Sequence, residues 1–208
     1  MLGFPSFSQN PSDSSSVVTP FRKGRWLTGL SGSISSGSNS LDSIGSGIDR
    51  NQYNIELGTG NFVRDRLLIG GIISLSRSNS DEIFFETSEL LFIGPVITWY
   101  LSNEDHGSLF LSATGGYAKF REESGYNLNG SPFAILIDGN GGGGQFSFGY
   151  SHVLHDRVSF DLKLGYALYW IGANVLEQPA NISRRKNFTV GDLSFSFGFN
   201  VLLDKFFF

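Results

Sequence analysis

Large apolar residues recur at every second position along eight separate stretches of the chain, with small or polar residues between them. A period of two is the side-chain period of a β-strand, so each stretch predicts a strand with one apolar and one polar face. The clearest is Val158 to Trp170, where Val158, Phe160, Leu162, Leu164, Tyr166, Leu168 and Trp170 oppose Ser159, Asp161, Lys163, Gly165 and Ala167. Gly24 to Ser35, Gln52 to Asn61, Arg66 to Ser76, Gln145 to Leu154 and Leu193 to Val201 alternate in the same way. In Ser108 to Phe120 the apolar face is Leu109, Leu111, Ala113 and Tyr117, opposite Ser112, Thr114 and Gly116. Phe85 to Leu101 is apolar on both faces and carries Pro95; its outer set is read as Leu91, Ile93, Ile97 and Trp99, with Thr98 inside. Helical periodicity is nowhere evident.

Alternation does not say whether the apolar face meets a core or lipid, but the connections do. They run long, short, long, short: Ser36 to Asn51, Val63 to Asp65, Arg77 to Phe84, Ser102 to Gly107, Arg121 to Gly144, His155 to Arg157 and Gly172 to Asn187. Long loops on one rim and tight turns on the other are the rhythm of an outer-membrane barrel, which a soluble lipocalin-like carrier has no reason to keep. Trp26, Trp99 and Tyr100 fall toward the short-turn end, while Tyr53, Tyr117 and Trp170 fall toward the long loops. Two aromatic belts flanking an apolar band fit rings seated at two membrane interfaces.

Composition agrees. The chain has 208 residues with 27 Gly, 20 Phe, no Cys and 16% charged residues. Low charge with many aromatics argues against disorder, and the absence of Cys excludes disulfides and thiolate metal sites. No apolar run is long enough for a spanning helix, whereas a spanning strand needs only about 9–11 residues. A net charge of -4 gives no electrostatic footprint for nucleic acid. Residues 1–8 (MLGFPSFS) read as a truncated signal-peptide remnant with small residues at Ser6 and Ser8, residues 9–23 as a flexible lead-in, and 24–208 as the barrel.

Eight such stretches, a signal-peptide remnant and a C-terminal aromatic strand resemble the small OmpA/OmpX-type outer-membrane β-barrels. The resemblance spans about residues 24 to 208 and rests on pattern. It implies an all-β, eight-stranded antiparallel up-and-down transmembrane barrel in a bacterial outer membrane, exported through the periplasm. It also implies that the barrel-assembly machinery reads the last strand, here Phe195, Phe197, Phe199 and the terminal Phe208, although Asp204 and Lys205 interrupt that run.

An eight-stranded lumen is just wide enough for side chains to fill. Its expected contents are small hydrogen-bonding groups plus a charge cluster of Glu56, Asp161 and Lys163, giving a plugged, wet interior. The expected role is structural or interactive through the outer loops, with a narrow passive channel and a lipid A-modifying enzyme as rivals. His106, His152 and His155 all lie near short turns, and Ser151 and His152 point to opposite faces, which disfavours catalysis. Arg184, Arg185 and Lys186 in the last long loop are the candidate contact for lipopolysaccharide phosphates. Arg22, Lys23 and Arg25 sit at the opposite rim. Expected partners are outer-membrane lipids and lipopolysaccharide, the assembly machinery, and no nucleic acid, with a larger outer-membrane complex left open. No cofactor or metal is assigned. GNGGGG at Gly139–Gly144 formally matches a phosphate-binding glycine motif, but no helix follows it, and it reads as an outer loop. Asp138 and Asn140 resemble the start of a calcium loop, which lacks its closing acid.

Overall fold

In the computed structural model, which describes residues 19–35, 51–81, 85–128, 131–178 and 182–204, eight antiparallel strands close into one barrel. They are β1 (Trp26–Ser35), β2 (Asn51–Arg64), β3 (Leu67–Asp81), β4 (Phe85–Tyr100), β5 (Gly107–Leu128), β6 (Ser131–Leu154), β7 (Val158–Gln178) and β8 (Ile182–Leu203). Each strand pairs with its chain neighbours, and β1 pairs with β8, so no sheet edge is left open. Following paired residues round the sheet from Ile34 leads through Tyr53, Arg77, Glu89, Arg121, Asp138 and Asn174 to Arg185, while Ile34 itself meets Phe195 across the β1–β8 seam. The sheet therefore closes with a stagger, which requires tilted strands.

Alternation sets the faces as the sequence predicts. Leu91, Ile93, Ile97 and Trp99 point out, as do Phe160, Leu162, Leu164 and Tyr166, each about half exposed. Ser74, Thr98, Ser147 and Ser196 point in and are buried. The β7 hairpin turns on His155 and Asp156, both left-handed (φ 51° and 56°), closed by Arg157 N–H donating to the Leu154 carbonyl at 3.2 Å. Two consecutive residues with positive φ match the twist of the flanking strands.

Three expectations change. Two of the stretches read as long loops, Arg121 to Gly144 and Gly172 to Asn187, are largely strand: β5 and β6 extend to Leu128 and from Ser131, and β7 and β8 to Gln178 and from Ile182, while Ser36 to Asn51 lies almost wholly outside the described residues. Gly139–Gly144 is thus part of β6. A Cβ at Gly141 would overlap the Trp170 carbonyl oxygen, and one at Gly143 the Tyr169 ring, so these inward glycines let β7 pack close. Next, residues 19–21 of the expected lead-in are fixed inside the short-turn end, where Pro20 and Phe21 are fully buried. Finally, the lumen is not mainly small polar groups but is layered. One apolar cluster of Phe21, Leu27, Phe62, Leu68, Tyr100, Phe110, Val153 and Leu202 fills the short-turn end. A second, built around Phe92, Phe120, Tyr169 and Ile171, lines β4, β5 and β7 toward the loop end.

Candidate functional site

The short-turn end is a seal. Phe21 stacks on Tyr100 with ring centroids 3.9 Å apart, and both rings approach Phe62 at 6.0 and 5.6 Å. Tyr100 was expected in the outer aromatic belt beside Trp99, but adjacent strand residues face opposite ways, so Trp99 points out and Tyr100 in. Backbone bonds fix the segment: Arg66 N–H donates to the Phe21 carbonyl at 2.7 Å and Gly24 N–H to that of Phe62 at 2.8 Å.

Charges lock this seal from below. Arg25, only 2% exposed, pairs through Nη1 with Asp156 at 2.7 Å and through Nε with Asp204 at 3.0 Å. It also donates to the Pro20 carbonyl at 2.9 Å and to the Asp156 carbonyl. Arg22 reaches the same two carboxylates at 3.1 and 2.9 Å, in the open. The lead-in, the β7 turn and the end of β8 are thereby joined across three parts of the chain.

Above the seal the lumen is polar. Lys163 Nζ meets Glu56 Oε1 at 2.7 Å across the interior, with both side chains mostly buried. Asp161, one turn of the pleat below on the same face, accepts from Ser159 Oγ at 3.3 Å, and Asn200 donates to that hydroxyl at 3.1 Å. A space of about 90 Å³ lies between this level and the seal, bordered by Tyr100, Phe110, Asp161 and Lys163. A larger cavity of about 620 Å³ runs from Glu56 and Lys163 toward the loop end, as far as Ser78, Ser88 and Glu122.

On the outside, Trp99 borders the apolar band at the short-turn end, with Trp26 at the same end of β1. Tyr53, Tyr117 and Trp170 border it at the other, about half exposed. No protein-family model and no curated protein sequence matches the chain. Solved structures do. Neisserial surface protein A (NspA) superposes with a TM-score of 0.51 at 18% identity, over 86% of this chain and 97% of that one. The outer membrane protein OprG from Pseudomonas aeruginosa gives 0.55 at 10% identity, over 88% and 97%. Ail, the attachment invasion locus protein of Yersinia pestis, gives 0.53 at 10% identity, over 87% and 99%. The fold is that of a small eight-stranded outer-membrane β-barrel.

That architecture, with its apolar outer band, is that of the bacterial outer membrane, where such barrels turn their short connections to the periplasm. Among the described residues, β5 to β8, at 21 to 24 residues, outrun the 10 to 16 of β1 to β4, so the described wall is taller on that side. The basic triplet Arg184, Arg185, Lys186 belongs to this wall. It is a strand and not a loop, and alternation divides it: Arg185 is on the outer face, its Nη2 next to Gly172, while Arg184 and Lys186 are on the other. The triplet also lies beyond Trp170 on the loop side, since Thr189 is the residue that pairs with Trp170. Lower on the outer face, Lys119 and Arg121 follow Tyr117 on β5, and Arg77 pairs with Glu89 at 3.7 Å. All three histidines are exposed near the periplasmic turns, and His152 faces away from the buried Ser151. Phe195, Phe197 and Phe199 line the lipid face of β8, and Phe208 lies outside the described residues.

Among the site's residues, the seal is what sequence reasoning missed. Its one signal was the parity of Tyr100 against Trp99.

Proposed function

We propose that this barrel is an interaction module of the outer membrane, closed to through-flow at its periplasmic end and recognising its partners from outside. The observation that carries the reading is the Phe21–Tyr100 stack, which with Phe62, Phe110, Val153 and Leu202 occupies the base of the lumen and is tied down by Arg25. An open channel needs a continuous wet path, and an apolar base excludes one. The tall wall of β5 to β8 supplies the outward surface.

Lipopolysaccharide is the partner we assign to the outer cations. Lys119 and Arg121 stand just above the aromatic belt, and Arg185 higher on the same face, in position for charge-assisted bonds to phosphates. Phe195, Phe197 and Phe199, with Phe208, serve as the signal for the assembly machinery. Catalysis is not part of this reading, and His152→Ala and His155→Ala are expected to leave cellular lipid A unchanged.

Planar-bilayer recording tests the closed base. The wild-type barrel is expected to be silent, and the double substitution Phe21→Ala, Tyr100→Ala to conduct small ions. Steady conductance by the wild type would overturn the reading in favour of a narrow channel.

A further inference from the structure

The larger cavity is lined by two chemically distinct kinds of group. Ser31 and Ser33 on β1, Asn54 on β2, and Ser74 and Ser76 on β3 present hydroxyls and an amide. The apolar groups come from the other strands, Leu90 on β4 beside its pair partner Ser76, and Phe120 on β5, Tyr169 on β7 and Phe188 on β8, set among polar residues such as Ser147 and Ser194. The aromatic side is rigid: Phe120 meets Phe188 edge-on at 5.3 Å, Phe92 packs on Tyr169 at 5.4 Å, and Gln145 Nε2 donates to the Tyr169 hydroxyl at 2.6 Å. The polar side is partly self-satisfied, since Ser74 Oγ donates to Asn54 Oδ1 at 2.9 Å and Gln52 Nε2 to Ser76 Oγ at 3.1 Å. One group there is not satisfied. Ser33 Oγ, on a side chain only 7% exposed, is buried within that wall with no hydrogen-bond partner among the described residues, whereas Ser31 beside it is only partly buried and opens on the cavity.

We propose that this cavity is a binding site for a neutral saccharide, an inference that rests on the closed, outward-recognising reading above. A pyranose ring has apolar C–H faces and a rim of hydroxyls that both donate and accept. It therefore needs aromatic or apolar surface together with hydroxyl and amide groups, and both line this cavity. A wholly apolar solute would displace water from the hydroxyls and amides of β1 to β3 and offer nothing in exchange, and buried polar groups are costly to leave unpaired. An anion is disfavoured, because Lys163, the cation among the lining residues, is already paired with Glu56. The volume of about 620 Å³ lies within the usual range for small-molecule sites.

The test uses the folded barrel in a micelle of an amine-oxide detergent, because maltoside detergents carry a disaccharide head group that would compete. Maltose, cellobiose and sucrose are titrated while amide resonances are followed by NMR. At least one probe is expected to give saturable shifts centred on Ser33, Asn54 and Ser74. Ser31→Leu and Ser76→Leu, each checked for folding by heat-modifiable gel mobility, should weaken that binding about tenfold or more by removing a partner and filling space. No saturable shift with any of the three probes, or shifts unchanged in both folded variants, would overturn the proposal. So would shifts produced by octanol and not by the sugars. The bilayer recording separates the two levels: a silent barrel that binds no sugar leaves the closed reading standing, whereas a conducting one removes it.

Discussion

Phe21, ahead of the first strand, lies flat on Tyr100 at the end of the fourth, with planes only 16° from parallel. A ring from outside the sheet thus becomes part of its interior. The pair is surrounded by Phe62, Phe110 and Val153, so neither ring can leave without opening a void.

Phe21→Ala is accordingly expected to destabilise the barrel by about 3 kcal/mol, as for large-to-small changes in packed cores. Urea unfolding in micelles, followed by tryptophan fluorescence, measures it. Wild-type stability in the variant would mean that the base is not packed as described.

The two arginines of the clasp should differ. Arg22 pairs in solvent, so Arg22→Ala is expected to cost less than about 1 kcal/mol. Arg25 is buried and holds carbonyls as well as carboxylates, so Arg25→Ala should cost about 2–3 kcal/mol. It should also speed tryptic cleavage after Arg22 and Lys23, which a protease assay on the folded protein reads directly.

In the lumen, Glu56→Gln leaves the Lys163 ammonium without its carboxylate. The expected loss is about 2 kcal/mol, below the ~3–5 of a fully dry pair because the two side chains are 17% and 20% exposed. The double substitution Glu56→Gln, Lys163→Met should recover most of it. A double-mutant cycle with no coupling would argue that water, not the partner, solvates each charge.

The glycine run of β6 gives a positional test. Gly141→Ala places a Cβ on the Trp170 carbonyl oxygen, whereas Gly142→Ala meets only the Gly116 carbonyl at 3.7 Å. The first should lower refolding yield, at an overpacking cost of about 1–3 kcal/mol, and the second should be neutral. Heat-modifiable mobility after refolding reports both.

Lipid depth supplies a further contrast. Leu164 sits mid-band on the outer face of β7, so Leu164→Arg should cost about 2–4 kcal/mol and impair insertion. Asn174→Arg, beyond Trp170 on the same face, should be tolerated. Insertion into vesicles, scored by protease protection, distinguishes them.

What the sequence made legible follows from what repeats. Leu162, Leu164 and Tyr166 declare their face because every neighbour supports the same period. The Glu56 and Lys163 positions were readable for the same reason, their strands being unambiguous in phase. The extension of β5 and β6 was not readable: Arg121 to Gly144 mixes charges and glycines, which signal a loop locally but here serve strand pairs beyond the membrane and close packing against Tyr169 and Ile171. Phe21 was beyond reach because its burial depends on rings from β2, β4 and β5, far away in the chain.

The ion pair of Glu56 and Lys163 stands between an apolar base and the roomy upper cavity, and this order has an evolutionary consequence. On the closed, ligand-binding reading proposed above, residues such as Ser31, Asn54 or Phe120 can vary to suit a new ligand without perforating the cell envelope, because the apolar base is built from other residues. Specificity can drift in such a chain while the safety of its host is held constant.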